Sequence, residues 1–292
     1  IYYTAIDFAP RYVAEDGLRS YLYRSLTELE SGRVKGTERL SLAEWKVPRG
    51  WHYDAKGQRL YVRTAKRDHP AAHAILAARF GRAFDVRDCQ HVVIRGFEMR
   101  YYGDEAVLIR DGSIGTILAD NSVHNCQIGI RVRDEGTHDS LICRNEVYEP
   151  GLRDFSWRAV KASNYGRSGI NVRAGRGNSI LDNNVHGFFD GIAAYTDTPE
   201  AIALNRDLDI GGNFVHDVND DAFEPDGGGV NLRIWGNRMA RAHNGISLVP
   251  VQRGPVYVVR NVIHDVELSA FKLDIKTPSP APAYVYHNSV SG

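Results

Sequence analysis

Asn213-Phe214-Val215-His216, Asn237-Arg238-Met239-Ala240 and Asn261-Val262-Ile263-His264 follow one another at intervals of 24 residues, and their reading decides the fold. Four more segments align with them: Asn121-Ser122-Val123-His124, Asn145-Glu146-Val147-Tyr148, Asn183-Asn184-Val185-His186 and Asn288-Ser289-Val290-Ser291. The successive spacings are 24, 38, 30, 24, 24 and 27, a period near 24 with insertions, as expected when each repeat is one solenoid coil. Three residues before each Asn stand Leu118, Ile142, Ile180, Ile210, Ile234, Val258 and Val285; two residues after it stand Val123, Val147, Val185, Val215, Met239, Ile263 and Val290. Columns that stay apolar across such insertions require every coil to return to the same inward position. Val and Ile suit buried strands, and parallel strands stacked about 4.8 Å apart make the column.

The Asn column is expected to form a bend, because Asn tolerates the left-handed conformation and stacked amides can bond along the axis. The chain is therefore read as all-β, a right-handed parallel β-helix solenoid over 85–292. Residues 1–84 fall outside the pattern and are expected to cap its N-terminal end, where an unpaired strand edge needs cover. Within them, 18–31 reads as a short amphipathic helix, and Trp51-His52-Tyr53-Asp54 with Arg59-Leu60-Tyr61-Val62-Arg63 as a hairpin around Lys56-Gly57.

Bulk composition narrows the function. Lys plus Arg and Asp plus Glu are equal at 36, so no overall basic field favours nucleic acid. No run of 18 apolar residues is present to span a membrane. Cys89, Cys126 and Cys143 are odd in number, lack metal-ligand spacing and read as buried small side chains. The chain opens on Ile1-Tyr2-Tyr3-Thr4 and stops inside a repeat, so it reads as an excerpt, with an exported location (secreted, periplasmic or cell-surface) as the expectation.

The strand after each Asn segment begins alike: Ile128-Gly129-Ile130, Ser168-Gly169-Ile170, Asp190-Gly191-Ile192, Asp221-Ala222-Phe223, Asn244-Gly245-Ile246 and Ser269-Ala270-Phe271. The third residue of each points inward. Alternation turns the next one outward: Arg131, Asn171, Ala193, Glu224, Ser247 and Lys272. On this face Asp190, Asp220, Asp221, Glu224 and Asp226 converge. Strand stacking sets Asp190 roughly 5 Å from Asp221, and the two-residue spacing sets Glu224 roughly 6.5–7 Å from Asp226. Acids so crowded need compensation, by a calcium ion or by protons on carboxyls of raised pKa. Arg133 and Arg173, with Arg110, form an outward basic stripe suited to sugar carboxylates. Tyr195 and Asp274 share the stripe's column and join the substrate-binding set. The insertion near 149–167 brings Phe155, Trp157, Arg158, Lys161 and Tyr165 toward the same face. His124, His186, His216 and His264 form a column on another strand and read as a hydrogen-bonding stack rather than a metal site.

The repeat with its Asn ladder resembles the parallel β-helix of the pectate-lyase-like superfamily, over about 85–292. Asp190-Gly191-Ile192-Ala193, Asp220-Asp221-Ala222-Phe223-Glu224 and Ala270-Phe271-Lys272-Leu273 are similar to motifs of polysaccharide lyase family nine. That resemblance implies calcium on Asp190, Asp220, Asp221 and Glu224, and Lys272 as the base that abstracts a uronate C5 proton in β-elimination. Arg173 would assist catalysis, and Arg133, Tyr195, Trp157 and Asp274 would hold the glycan. The chain departs from those motifs at Ala222 and Glu224, and an extra coil bearing Ser247 separates Lys272 from the acids by about 9.6 Å along the axis. Two other readings use the same face: a polygalacturonase-like glycoside hydrolase with Glu224 and Asp226, or Asp190 and Asp221, as its carboxyl pair, and a carbohydrate-binding β-helix without catalysis.

Overall fold

The computed structural model describes residues 1–35, 44–161, 167–173, 175–194, 205–273 and 280–292. Tyr165, Tyr195 and Asp274 lie outside them. The chain forms a parallel β-solenoid. One face is an eight-stranded sheet running from Val93–Arg95 to Ala283–Tyr286. The other two faces belong to a 14-stranded sheet, because Glu98–Arg110 and Ser122–Val132 run unbroken round the corner that later coils turn sharply. The expected register is observed: Ile192 pairs with Phe223 and Ala193 with Glu224, then Phe223 with Ile246 and Ser247 with Lys272.

Between the faces runs one continuous apolar core. Ile130, Ile170, Ile192, Phe223 and Ile246 stack within it, as do Val123, Val147, Val185, Val215, Met239 and Ile263. All are 0–1% exposed, so every methylene there contributes its full transfer free energy, about 0.8 kcal/mol each. Cys126 and Cys143 are buried and Cys89 partly so, all three as free thiols.

The Asn ladder is complete from Asn121 to Asn288. Each Nδ2 donates to the next Oδ1 at 2.9–3.0 Å. Each also donates to a carbonyl in the preceding coil, as Asn213 does to Ile180. The left-handed residue is not the Asn, however, but the one before it: Asp120, Arg144, Asp182, Gly212, Gly236, Arg260 and His287 all have φ between 54° and 66°. The bend and the amide stack are separate devices on adjacent residues. One column further on, the rings of His124, Tyr148, His186 and His216 stack at 4.6–5.0 Å. Ala240 ends that stack, and His264 instead meets Arg238 and Asp265.

The N-terminal residues form small sheets, including the expected hairpin Gly50–Asp54 with Arg59–Arg63. The helix expected over 18–31 is confined to Leu26–Ser31. Ser25 caps it by accepting from the Glu28 amide, whereas Tyr21–Leu22 is drawn into a strand beside Gly50–Trp51. Tertiary pairing here overrides helical periodicity. This region lies along the side of the solenoid. Tyr21, Tyr23, Leu29 and Val47 share a core with Leu152, Phe155, Val160 and Phe189, while Arg49 donates to Asp154 at 2.6 Å. The end coil keeps Val93 and Phe97 exposed.

Candidate functional site

Two successive coils build the acidic cluster. Asp190 opens one strand, Asp220 and Asp221 open the next, and Glu224 and Asp226 follow on that same coil. The inward Ile192–Phe223–Ile246 column fixes the outward alternation. Asp190, Asp220 and Asp221 are buried, at 5%, 2% and 0% exposure, while Glu224 and Asp226 form the more open rim. One oxygen each from Asp190, Asp221 and Glu224 lies within 4.8 Å of the others.

Compensation comes largely from this chain's own residues. Lys161 Nζ reaches Asp220 Oδ2 at 2.8 Å. Lys272 Nζ spans the intervening coil and reaches Asp221 Oδ2 at 3.0 Å, while Asn244 donates to Asp221 Oδ1 at 2.8 Å. Ser247 Oγ donates to Asp226 Oδ1 at 2.5 Å. Thus the extra coil, a departure at the level of motifs, supplies Asn244 and Ser247 as partners for two of the acids.

Protonation follows the same layout. Burial, with Glu224, Asp220 and Asp221 close by, raises the Asp190 carboxyl well above the usual range. Burial, with Asp226 and Asp221 as neighbours, lifts Glu224 to about 7. Asp221 and Asp226 are also raised by burial, against the opposing pull of Lys272 and, respectively, Asn244 and Ser247. Burial acts to lower the Lys272 ammonium, but Asp221 outweighs it and the net direction is upward. A lysine base needs the opposite. A lowering would take positive neighbours, and the charges that act on Lys272 here are those of Asp221, Asp226 and Asp220.

Of the remaining predicted residues, Trp157 meets the rings of Phe189 and His243 at a tilt, with centroids 6.2 and 5.8 Å away. Phe155 is buried against Tyr21 and serves packing. Arg133 lies near Asp134 at 3.6 Å and Arg110 is clamped by Asp85, so these two belong to separate ion pairs. Arg173 lies in a cleft under the N-terminal region. Lys161 was expected near this face with the rest of its insertion, but without a role or the Asp220 partner it proves to have; Asn244 was not given a role, because it resembled any other strand start.

The architecture defines a parallel β-helix protein with a lysine-bound carboxylate cluster. Solved structures resemble it, among them two that can be compared in detail. The periplasmic alginate epimerase AlgG matches with a TM-score of 0.50 and 18% identity, over 72% of this chain and 48% of that one. XylC, solved in complex with xylose, matches with a TM-score of 0.49 and 14% identity, over 88% of this chain and 47% of that one. The chain therefore spans about half the length of each, and the likeness is one of fold. No protein-family description and no curated protein matches the sequence. Among the described residues no helix is long and apolar enough to cross a membrane.

Proposed function

We propose that the protein is a polysaccharide-active enzyme that hydrolyses glycosidic bonds in an acidic, uronate-containing glycan. The supporting observation is the rim of the cluster. There Glu224 keeps its proton up to about pH 7 beside Asp226, which Ser247 fixes in place. A carboxyl poised near neutrality beside one held by hydrogen bonding is the division of labour that acid–base hydrolysis uses. Glu224 gives its proton to the leaving glycosidic oxygen as the anomeric carbon–oxygen bond breaks. Water forms the new bond to that carbon and passes a proton to Asp226. Glu224 ends the strand Asp221–Glu224, and Asp226 stands two residues on, in the turn that the Gly228 amide closes on the Pro225 carbonyl; an inverting pair holds its carboxyls about 6.5–9.5 Å apart. Lys161 and Lys272 pair with Asp220 and Asp221 beneath the rim and offer positive charge to uronate carboxylates.

A second reading, β-elimination, draws on the oxygen triad. Asp190, Asp221 and Glu224 are hard donors close enough to hold calcium, which would acidify the uronate C5 proton. Incubation with uronate glycans in a chelator separates the two. Hydrolysis predicts saturated reducing ends that vanish in Glu224→Gln. An unsaturated, ultraviolet-absorbing product that needs calcium would overturn it.

A further inference from the structure

A cleft of about 910 Å3 opens between the N-terminal sheets and the coils that carry Gln127, Arg131 and Arg173. Seven arginines and three carboxylates line it, an excess of four positive charges in a chain of zero formal net charge. The carboxylates are already committed. Asp104 pairs with Arg11 at 2.6 Å, and Glu105 spans Arg82 at 2.7 Å and Arg131 at 3.0 Å. Glu28 accepts from the Arg24 amide at 3.0 Å. Arg131 Nε is buried with no partner. Burial and the charges of Arg173 and Arg133 lower the Arg131 pKa, a sign of guanidinium groups crowding one another. An entering anion relieves that crowding, and a planar carboxylate matches the guanidinium fork.

Arg167, which lines the cleft, borders the first strand of the acidic cluster. The Arg167 carbonyl accepts the Asp190 amide at 3.4 Å, so one structure ends where the other begins. The register Arg131–Asn171–Ala193–Glu224 spans three strand spacings, roughly 14 Å, the length of a few sugar units. The far wall is held firmly, because Tyr21 and Tyr23 are buried with Phe155 and Val160 of the loop that also carries Lys161.

We infer that this cleft binds the carboxylates of an acidic oligosaccharide and forms the subsites on one side of Glu224. The subsite assignment rests on the proposed catalytic reading; anion binding does not. The test is titration calorimetry on Glu224→Gln protein with tetragalacturonate, a sulfated tetrasaccharide and maltotetraose, at low and high salt. Tetragalacturonate is expected to bind, more weakly as salt rises, and maltotetraose not to bind. Arg167→Gln with Arg173→Gln should weaken binding at least tenfold, with the thermal midpoint of the parent as a check on folding. Arg131→Lys, which keeps the charge but loses the fork, should give a smaller loss. In the active enzyme the Gln pair should raise KM more than it lowers kcat. Unchanged affinity in the Gln pair, no binding of tetragalacturonate, or a preference for the sulfated probe would overturn the inference. Binding that depends on these arginines, without cleavage by the wild type, would keep the cleft and discard the hydrolase reading.

Discussion

The Asn corner and the acidic face are both columns of polar side chains stacked by the same coil repeat, yet they are electrostatic opposites. Each ladder amide carries a donor and an acceptor, so a stack of identical residues satisfies itself, with bonds of 2.9–3.0 Å throughout. Carboxylates only accept. Stacked at the same spacing they must borrow protons or cations, and here they borrow Lys161 and Lys272 from distant segments and keep protons on Asp190 and Glu224. The first column is a structural device. The second stores an electrostatic cost that packing alone does not require, and the proposed function rests on that cost.

The contrast yields graded tests. Glu224→Gln should lower turnover of a uronate glycan by about 10²–10⁴-fold, the range for losing an acid–base group, with the thermal midpoint at neutral pH unchanged or raised; a rate assay beside a melting curve checks both. Asn213→Ala should do the reverse. It leaves the Ile180 carbonyl and the Asn183 amide without their partner and should cost on the order of 3 kcal/mol by urea unfolding, with kcat little changed in the protein that remains folded.

The pH dependence of stability sharpens the comparison further. The Glu224 carboxyl ionises less readily folded than unfolded, so its contribution is complete below about pH 4.5 and is lost as pH rises toward about 7. Wild type should therefore lose stability across that window relative to Glu224→Gln, and melting curves at matched pH read the difference. The smallest effect is expected at Lys161, whose charge pulls the Glu224 pKa down. Lys161→Ala should move the alkaline limb of kcat/KM to higher pH.

Much of this was legible in the sequence because a solenoid converts periodicity directly into neighbourhood. The Ile192–Phe223–Ile246 and Ala193–Glu224 pairings follow from aligning repeats. Legibility stopped where segments outside the repeat returned to it. Nothing local in Lys161 announces Asp220, 59 residues away, and nothing in Tyr21 announces Phe155. The reach of Lys272 across a full coil was only partly legible, because strand spacing fixes backbone distance but not where a long side chain settles. The bend was misassigned by one residue because Asn suits both a left-handed turn and a stack, and composition does not say which role it fills.

The ladder also bears on how the protein ages. Spontaneous loss of an asparagine amide requires the backbone nitrogen of the following residue to attack a freely swinging side chain. At every rung that nitrogen is engaged: Ser122, Glu146, Asn184, Phe214, Arg238, Val262 and Ser289 each donate to the preceding coil. The side chain itself is pinned above and below. The row of asparagines at the corner should thus outlast exposed ones during long storage or heating, and peptide mapping of an aged sample should find deamidation elsewhere first.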